Sequence, residues 1–152
     1  GSKIALEVIR HHRLIELYLA EVLGYSWDQV HEEADQLEHV ISEEFEKRID
    51  KALGYPRWDP HGAPIPTRDG DIHESELLTL WEVEPGTRIE IREVDDKNSE
   101  LLRYLASLGV LPGVEIKVVE KAPFGGPLEV VVEGIRHGLS EKLARRVLVR
   151  VK

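Results

Sequence analysis

The chain has 152 residues, no cysteine and a formal net charge of −9. That length supports one domain or two small ones with a real core. The missing thiols exclude disulfides, thiolate zinc sites and cysteine nucleophiles, and the acidic balance argues against a chain that grips nucleic acid by itself. A hydrophobic content of 41% is globular, and no apolar run approaches a membrane span. Without a signal peptide, a cytoplasmic protein with no membrane attachment is expected. Gly1-Ser2 reads as a cloning scar, and the helix that follows from Lys3 has no cap, so the chain is expected to be part of a longer protein.

Residues 3–23 read as one long helix that stops at Gly24. At about 100° per residue, Lys3, Glu7, Arg10, His11 and Glu21 fall on one side, the expected solvent face. Ile4, Val8, Ile9, Ile15, Leu17, Leu19 and Val22 spread over the remainder, an arc wide enough for more than one neighbour. His12 and Glu16 stand inside that arc at i and i+4, where a polar pair needs partners to offset desolvation.

A second helix is expected from a Ser26 cap to about Ile41, with Trp27, Val30, Ala34, Leu37 and Ile41 as its apolar ridge. His31, Asp35, Glu38 and His39 flank that ridge at i, i+4, i+7 and i+8. Two imidazoles and two carboxylates on one stripe can hold a divalent cation, although the same pattern also suits a solvated charged face. Ser42 caps a third helix, which runs to about Leu53 and is ended by Gly54 and Pro56.

Residues 54–71 are rich in proline and glycine and form a connector. Within it, Asp59-Pro60-His61-Gly62 is either plain turn chemistry or a source of ligands. After a short helical piece around Glu74–Leu78, the pattern changes to period two. Thr79–Val83, Arg88–Val94, Val114–Lys121, Leu128–Glu133 and Val147–Val151 read as strands, interrupted by a helix over Ser99–Leu108 that ends at Gly109. The class is α+β: a helical domain over residues 3–71, followed by a small SH3-like barrel over residues 72–152. Aromatic residues are too sparse in the barrel for a proline-peptide groove.

Taken together, RHHRLIELYL, VHEEADQLEHVISEEFEKRI, DPHGAPIP and SELLRYLASLGVLPG resemble the metal-dependent repressors of the diphtheria toxin repressor family, most of all the manganese-sensing branch. The resemblance covers nearly the whole chain and lacks the family's N-terminal winged helix-turn-helix. It implies a helical metal-binding and dimerisation domain, with a barrel like that of small proteins associated with ferrous iron transport. It also implies that Asp35, Glu38 and His39 occupy the primary metal site, with His12 reaching in and the other ligands coming from the absent domain. A second site is implied at Glu16, Asp59, His61 and Asp96; iron sensors instead use the positions of His12, Glu16 and His31 with barrel residues. The two schemes share Glu16, and both remain open. Aspartate at 35 departs from the cysteine of iron sensors and the usual glutamate of manganese sensors, and Asp59 replaces a cysteine of streptococcal-type members.

The expected function is therefore that of the metal-sensing, dimer-forming part of a transcriptional repressor, not an enzyme. Mn²⁺ is the expected ion, with Fe²⁺ as the alternative, because the donors are oxygen and imidazole only. A homodimer is expected through Leu6, Leu17, Leu37 and Phe45, with operator DNA contacted only through the absent domain. Metal-dependent hydrolysis and an adaptor role for a ferrous iron transporter are the competing readings. The first lacks any nucleophile motif, HExxH string or phosphate loop, and the second leaves the helical half unexplained.

Overall fold

Helix α1 (Ser2–Glu21) is the element on which the first half is assembled. A computed structural model describes residues 2–72 and 76–152, and the chain divides into two compact units, Gly1–Ser75 and Glu76–Lys152. In the first unit α1 is followed by α2 (Val30–Leu37) and α3 (Glu43–Ala52). Leu14 and Leu17, one turn apart, pack with Ile49 of α3 and Ile65 of the connector. Ile15 and Leu19 turn the other way and pack with Val30 and Ala34 of α2. Two neighbours therefore share the broad apolar arc, and each fully buried Leu, Ile or Val in it contributes about 1.5–3 kcal/mol.

Arg10 and His11 are buried at 6% and 8% exposure instead of facing solvent. The reason lies on α3, where Glu46 and Asp50 form a buried acidic pair that receives them. Leu17 belongs to the core and has no surface to offer a second copy, whereas Phe45 is 48% exposed. Helix α2 ends at Leu37, short of Ile41, with Glu38 as its C-terminal cap. Ser26 does not cap it either, since residues 27–29 form turns and Gln29 precedes the first helical residue. Ser42 does cap α3, its hydroxyl accepting the Phe45 N–H at 3.1 Å.

The connector is built around Asp59. Its Oδ1 accepts the backbone N–H groups of His61 at 2.8 Å and Ala63 at 2.9 Å, which closes an Asx-type turn. Gly62, with φ of 86°, supplies the left-handed residue that this turn requires. The turn leaves His61 pointing inward, at 1% exposure.

The second unit contains one antiparallel sheet with strand order β1-β6-β2-β3-β4-β5. Its strands are β1 (Leu78–Thr79), β2 (Arg88–Val94), β3 (Glu115–Lys121), β4 (Leu128–Val132), β5 (Ile135–Leu139) and β6 (Val147–Val151). Register shifts in β2 and β3 bend the sheet into the SH3-like form, and alternate residues such as Ile89 and Ile91, or Leu128, Val130 and Val132, fill its core. Helix α4 (Ser99–Leu108) starts on an Asn98 cap and ends at Gly109, whose φ is 81°. A short helix α5 (Glu141–Ala144) precedes β6.

Three departures from the sequence pattern occur in this unit. The expected strand Thr79–Val83 is mostly a 3₁₀ turn over Leu80–Glu82. Strand β5 was not expected, because only Leu139 of its five residues is buried, leaving no alternation to read. Its signal was the turn: Glu133 and Gly134 both have positive φ, as a two-residue hairpin demands. Of the expected helical piece near Glu74–Leu78, Glu74 lies outside the described residues and Leu78 is in β1. Among the described residues, no helix is long and apolar enough to cross a membrane.

Candidate metal centre

Glu16 is the hub of the helical unit's polar interior. It is fully buried between the two apolar clusters of α1, a position that a carboxylate does not occupy without close partners. Three imidazoles surround its Oε2: His12 Nε2 at 3.5 Å, His61 Nδ1 at 3.6 Å and His31 Nδ1 at 3.8 Å. They come from one turn earlier on α1, from the Asp59 turn and from the first turn of α2. Fold elements distant in sequence thus converge on one oxygen.

The donors continue along α2. His12 Nδ1 lies 2.6 Å from Glu38 Oε2 and 3.4 Å from Asp35 Oδ1, and His31 Nε2 lies 3.5 Å from Asp35 Oδ2. The rings of His12 and His31 meet edge to face, with centroids 4.9 Å apart. Among the described residues of this unit, three groups bring one donor atom each to within 4.8 Å of one another: His12, Glu16 and His31; Glu16, Asp59 and His61; and His12, Asp35 and Glu38. His39 stands apart from these groups. It is 65% exposed at its side chain, and its Nε2 lies 3.2 Å from Glu38 Oε1. Asp96 belongs to the second unit, in the turn between β2 and α4, next to Asp95, which accepts the Lys97 N–H and the Arg146 guanidinium.

Two features test whether these residues fit a divalent cation. Two donors each about 2.2 Å from one ion stand roughly 3.1–3.6 Å apart when adjacent in an octahedral or tetrahedral shell. The spacings of 3.5, 3.6 and 3.8 Å around Glu16 Oε2 lie close to that edge length and beyond ordinary hydrogen-bond reach. The second feature is the orientation of His61. Its Nε2–H donates to the Trp27 carbonyl at 2.6 Å, and its ring stacks on the Trp27 indole. That fixes Nδ1 as the nitrogen turned to Glu16 and Asp59, the usual way in which an outer partner sets the tautomer of a metal-binding histidine. The set fits a hard or borderline cation.

Electrostatics point the same way. Burial alone would push the His61 pKa down; the Asp59 carboxylate, 3.9 Å from Nδ1, and the charge of Glu16 overcome it and raise the value to about 9. Burial would likewise raise Asp59, but its contact with His61, the His61 charge, a hydrogen bond with Glu16 and the Ala63 N–H hold it below the usual carboxylate range. A cation bound at His61 Nδ1 would displace the proton that this ring otherwise holds.

The sequence pattern missed the layer behind this centre. Arg10 bonds Glu46 through Nε, Asp50 through Nη2 at 3.0 Å and the Pro66 carbonyl through Nη1 at 2.9 Å. His11 bridges Glu46 Oε2 at 2.8 Å and the Glu38 carbonyl at 3.1 Å. The available signal was the i, i+4 pair Glu46 and Asp50 flanking the buried Ile49, a charge match for Arg10 and His11.

Comparison with known proteins agrees with this architecture. The family model described as the iron dependent repressor, metal binding and dimerisation domain matches residues 1–67, and the FeoA domain model matches residues 78–151. The iron-dependent repressor IdeR of Mycobacterium leprae is 31% identical over 161 residues, covering 98% of this chain and 70% of that protein. The Mycobacterium tuberculosis protein of the same name is 33% identical, covering 88% of this chain and 63% of its own length. A solved manganese-dependent transcriptional repressor in complex with manganese superposes with a TM-score of 0.97 at 36% identity, covering 100% of this chain and 73% of that one. The T. acidophilum IdeR structure superposes at 0.89 with 28% identity, covering 100% of this chain and 70% of that one. On this identity and coverage, the chain belongs to the family of metal-dependent repressors that includes the iron-dependent repressor and the diphtheria toxin repressor.

Proposed function

We infer that this chain is the metal-sensing and dimer-forming part of a transcriptional repressor that responds to a divalent cation. The observation that carries the inference is the buried Glu16 carboxylate with three imidazoles at 3.5–3.8 Å. Two coordination groups meet there. Glu16, Asp59 and His61 form the one whose donors are most buried, and His12, Asp35 and Glu38 form the more open one. His31 lies between them and can serve either, while His39 joins the open group only by turning its exposed ring. A cation held by these residues would tie α1, α2 and the connector into one arrangement, and differential binding of that kind shifts a conformational equilibrium.

Manganese is the ion we assign, with ferrous iron second. All donors are carboxylate or imidazole, and aspartate stands at both 35 and 59, so nothing supplies the thiolate that favours softer ions. Exposed Phe45 and Val40, at 48% and 73%, supply apolar area for a two-fold interface between copies. The chain spans 63–70% of the length of the mycobacterial relatives, so operator binding belongs to the proposal for the whole protein. The hydrolase reading finds no support in a family whose named members are repressors.

Calorimetric titration with Mn²⁺, Fe²⁺ under anaerobic conditions and Zn²⁺ tests the reading. It expects saturable binding with Mn²⁺ preferred, and loss of the tighter class in Glu16→Gln. Equal heats for wild type and Glu16→Gln, or a clear Zn²⁺ preference, would contradict it. Sedimentation with and without Mn²⁺ tests the dimer, and a monomer under both conditions at tens of micromolar would contradict that part.

A further inference from the structure

We propose that His11 is a positioning residue for the open coordination group: it pins the main chain of Glu38 while its neighbour His12 meets the carboxylate of the same residue. The inference rests on the metal reading above and names a residue that this reading does not use.

Glu38 is the C-terminal cap of α2, so its carbonyl is one of those with no partner inside the helix. A carbonyl only accepts, so the His11 ring donates to it through Nδ1–H, at 3.1 Å. The other ring nitrogen, Nε2, lies 2.8 Å from Glu46 Oε2, so the imidazole is held at both ends. Glu46 is itself fixed by Arg10, which is anchored to Asp50 and to the Pro66 carbonyl. Every side chain in this relay is at most 11% exposed, and it runs from α3 through α1 to the last turn of α2.

His12 follows His11 on α1 and projects about 100° away around the helix. Its Nδ1 lies 2.6 Å from Glu38 Oε2. Two consecutive imidazoles therefore approach one residue from two directions, one at the backbone and one at the side chain. A frayed helix end would otherwise leave Glu38 to be ordered when the cation binds. With His11 in place, that ordering is complete beforehand, which is how an outer partner raises affinity at a site it does not touch.

A donor to Glu46 alone would serve stability; the Nδ1 bond serves Glu38. Two substitutions separate these roles. Asparagine places its amide nitrogen near the Nδ1 position, so His11→Asn keeps the tether to Glu38 and loses Glu46. Glutamine reaches the Nε2 position, so His11→Gln keeps Glu46 and loses the tether. The experiment is Mn²⁺ titration of the 152-residue chain, read from the electron paramagnetic resonance signal of free Mn²⁺, with Glu38→Gln defining the Glu38-dependent binding. His11→Gln is expected to weaken that binding about tenfold, and His11→Asn by no more than about twofold. Melting temperatures are expected to fall in the opposite order, further for His11→Asn, because it gives up the contact with the Glu46 charge.

Wild-type affinity in His11→Gln, or affinities that fall in the same order as the melting temperatures, would overturn the proposal. If His11→Asn does not fold, His11→Gln against wild type still decides. Wild-type protein with no Mn²⁺ binding that Glu38→Gln removes would refute the metal reading itself, and this inference with it.

Discussion

Replacing Glu46 by glutamine tests the electrostatic frame behind the site. The side chain is 7% exposed and accepts from Arg10 Nε and His11 Nε2, while Arg10 keeps Asp50 and the Pro66 carbonyl. Breaking a buried ion pair by removing one partner costs about 3–5 kcal/mol. Glutamine retains one acceptor, and Asp50 still faces Arg10 with Arg68 3.7 Å away, so the loss at neutral pH is expected to be about 2–3 kcal/mol. For a unit of this size, that corresponds to roughly 10–20 °C in the midpoint of the helical transition.

The pH dependence follows from the same contacts. Burial raises the Glu46 pKa, but hydrogen bonds from Arg10 and His11 and their charges outweigh it, so the folded value lies below 4.5. Stability from a depressed carboxylate is fully present above its unfolded pKa and is lost as the pH falls through the folded one. The wild-type advantage over Glu46→Gln should therefore be constant from neutral pH down to about 4.5 and shrink below it. Thermal melts followed by circular dichroism across that range provide the assay. A loss under about 1 kcal/mol at neutral pH, or a loss that does not shrink in acid, would show that Glu46 does not act as a buried, paired carboxylate.

Other substitutions probe separate links. Asp59→Asn keeps the oxygen that accepts the His61 and Ala63 N–H groups but removes the charge facing His61, so the melting temperature should fall less than in Asp59→Ala, which also loses the turn, while Mn²⁺ affinity falls in both. Leu14→Ala, at a position with 0% exposure between Leu17, Ile49 and Ile65, should cost about 2–5 kcal/mol in urea unfolding. Asn98→Ala removes the acceptor for the Leu101 N–H at the start of α4 and should cost about 1 kcal/mol of barrel stability, with no effect on Mn²⁺ binding by the helical unit.

The sequence was most legible where one period dominated. The i, i+4 pair His12 and Glu16 inside an apolar arc marked a buried polar site, and the fold encloses Glu16 completely. The α+β class and the SH3-like barrel followed from the change of period after residue 78, and the strands over residues 88–94, 128–132 and 147–151 lie where the alternation put them. Legibility failed where tertiary contacts override local pattern. Arg10 and His11 look like solvent residues on a helical wheel, because charge reads as exposure until Glu46 and Asp50 are known to face them. Strand β5 failed for the opposite reason: as a strand with one buried residue, it carries no hydrophobic period. The stripe from His31 to His39 was readable as a face, but the end of α2 at Leu37 leaves His39 exposed beyond it.

A crystal structure of this chain grown with Mn²⁺ and measured for anomalous scattering tests directly whether Glu16 is a metal ligand. A manganese peak is expected about 2.2 Å from Glu16 Oε2, with His61 Nδ1 and an Asp59 oxygen or the His12 and His31 nitrogens completing the protein's share of the shell. A crystal saturated with Mn²⁺ that shows manganese only at surface carboxylates, with the space around Glu16 empty of it, would show that Glu16 is not a metal ligand.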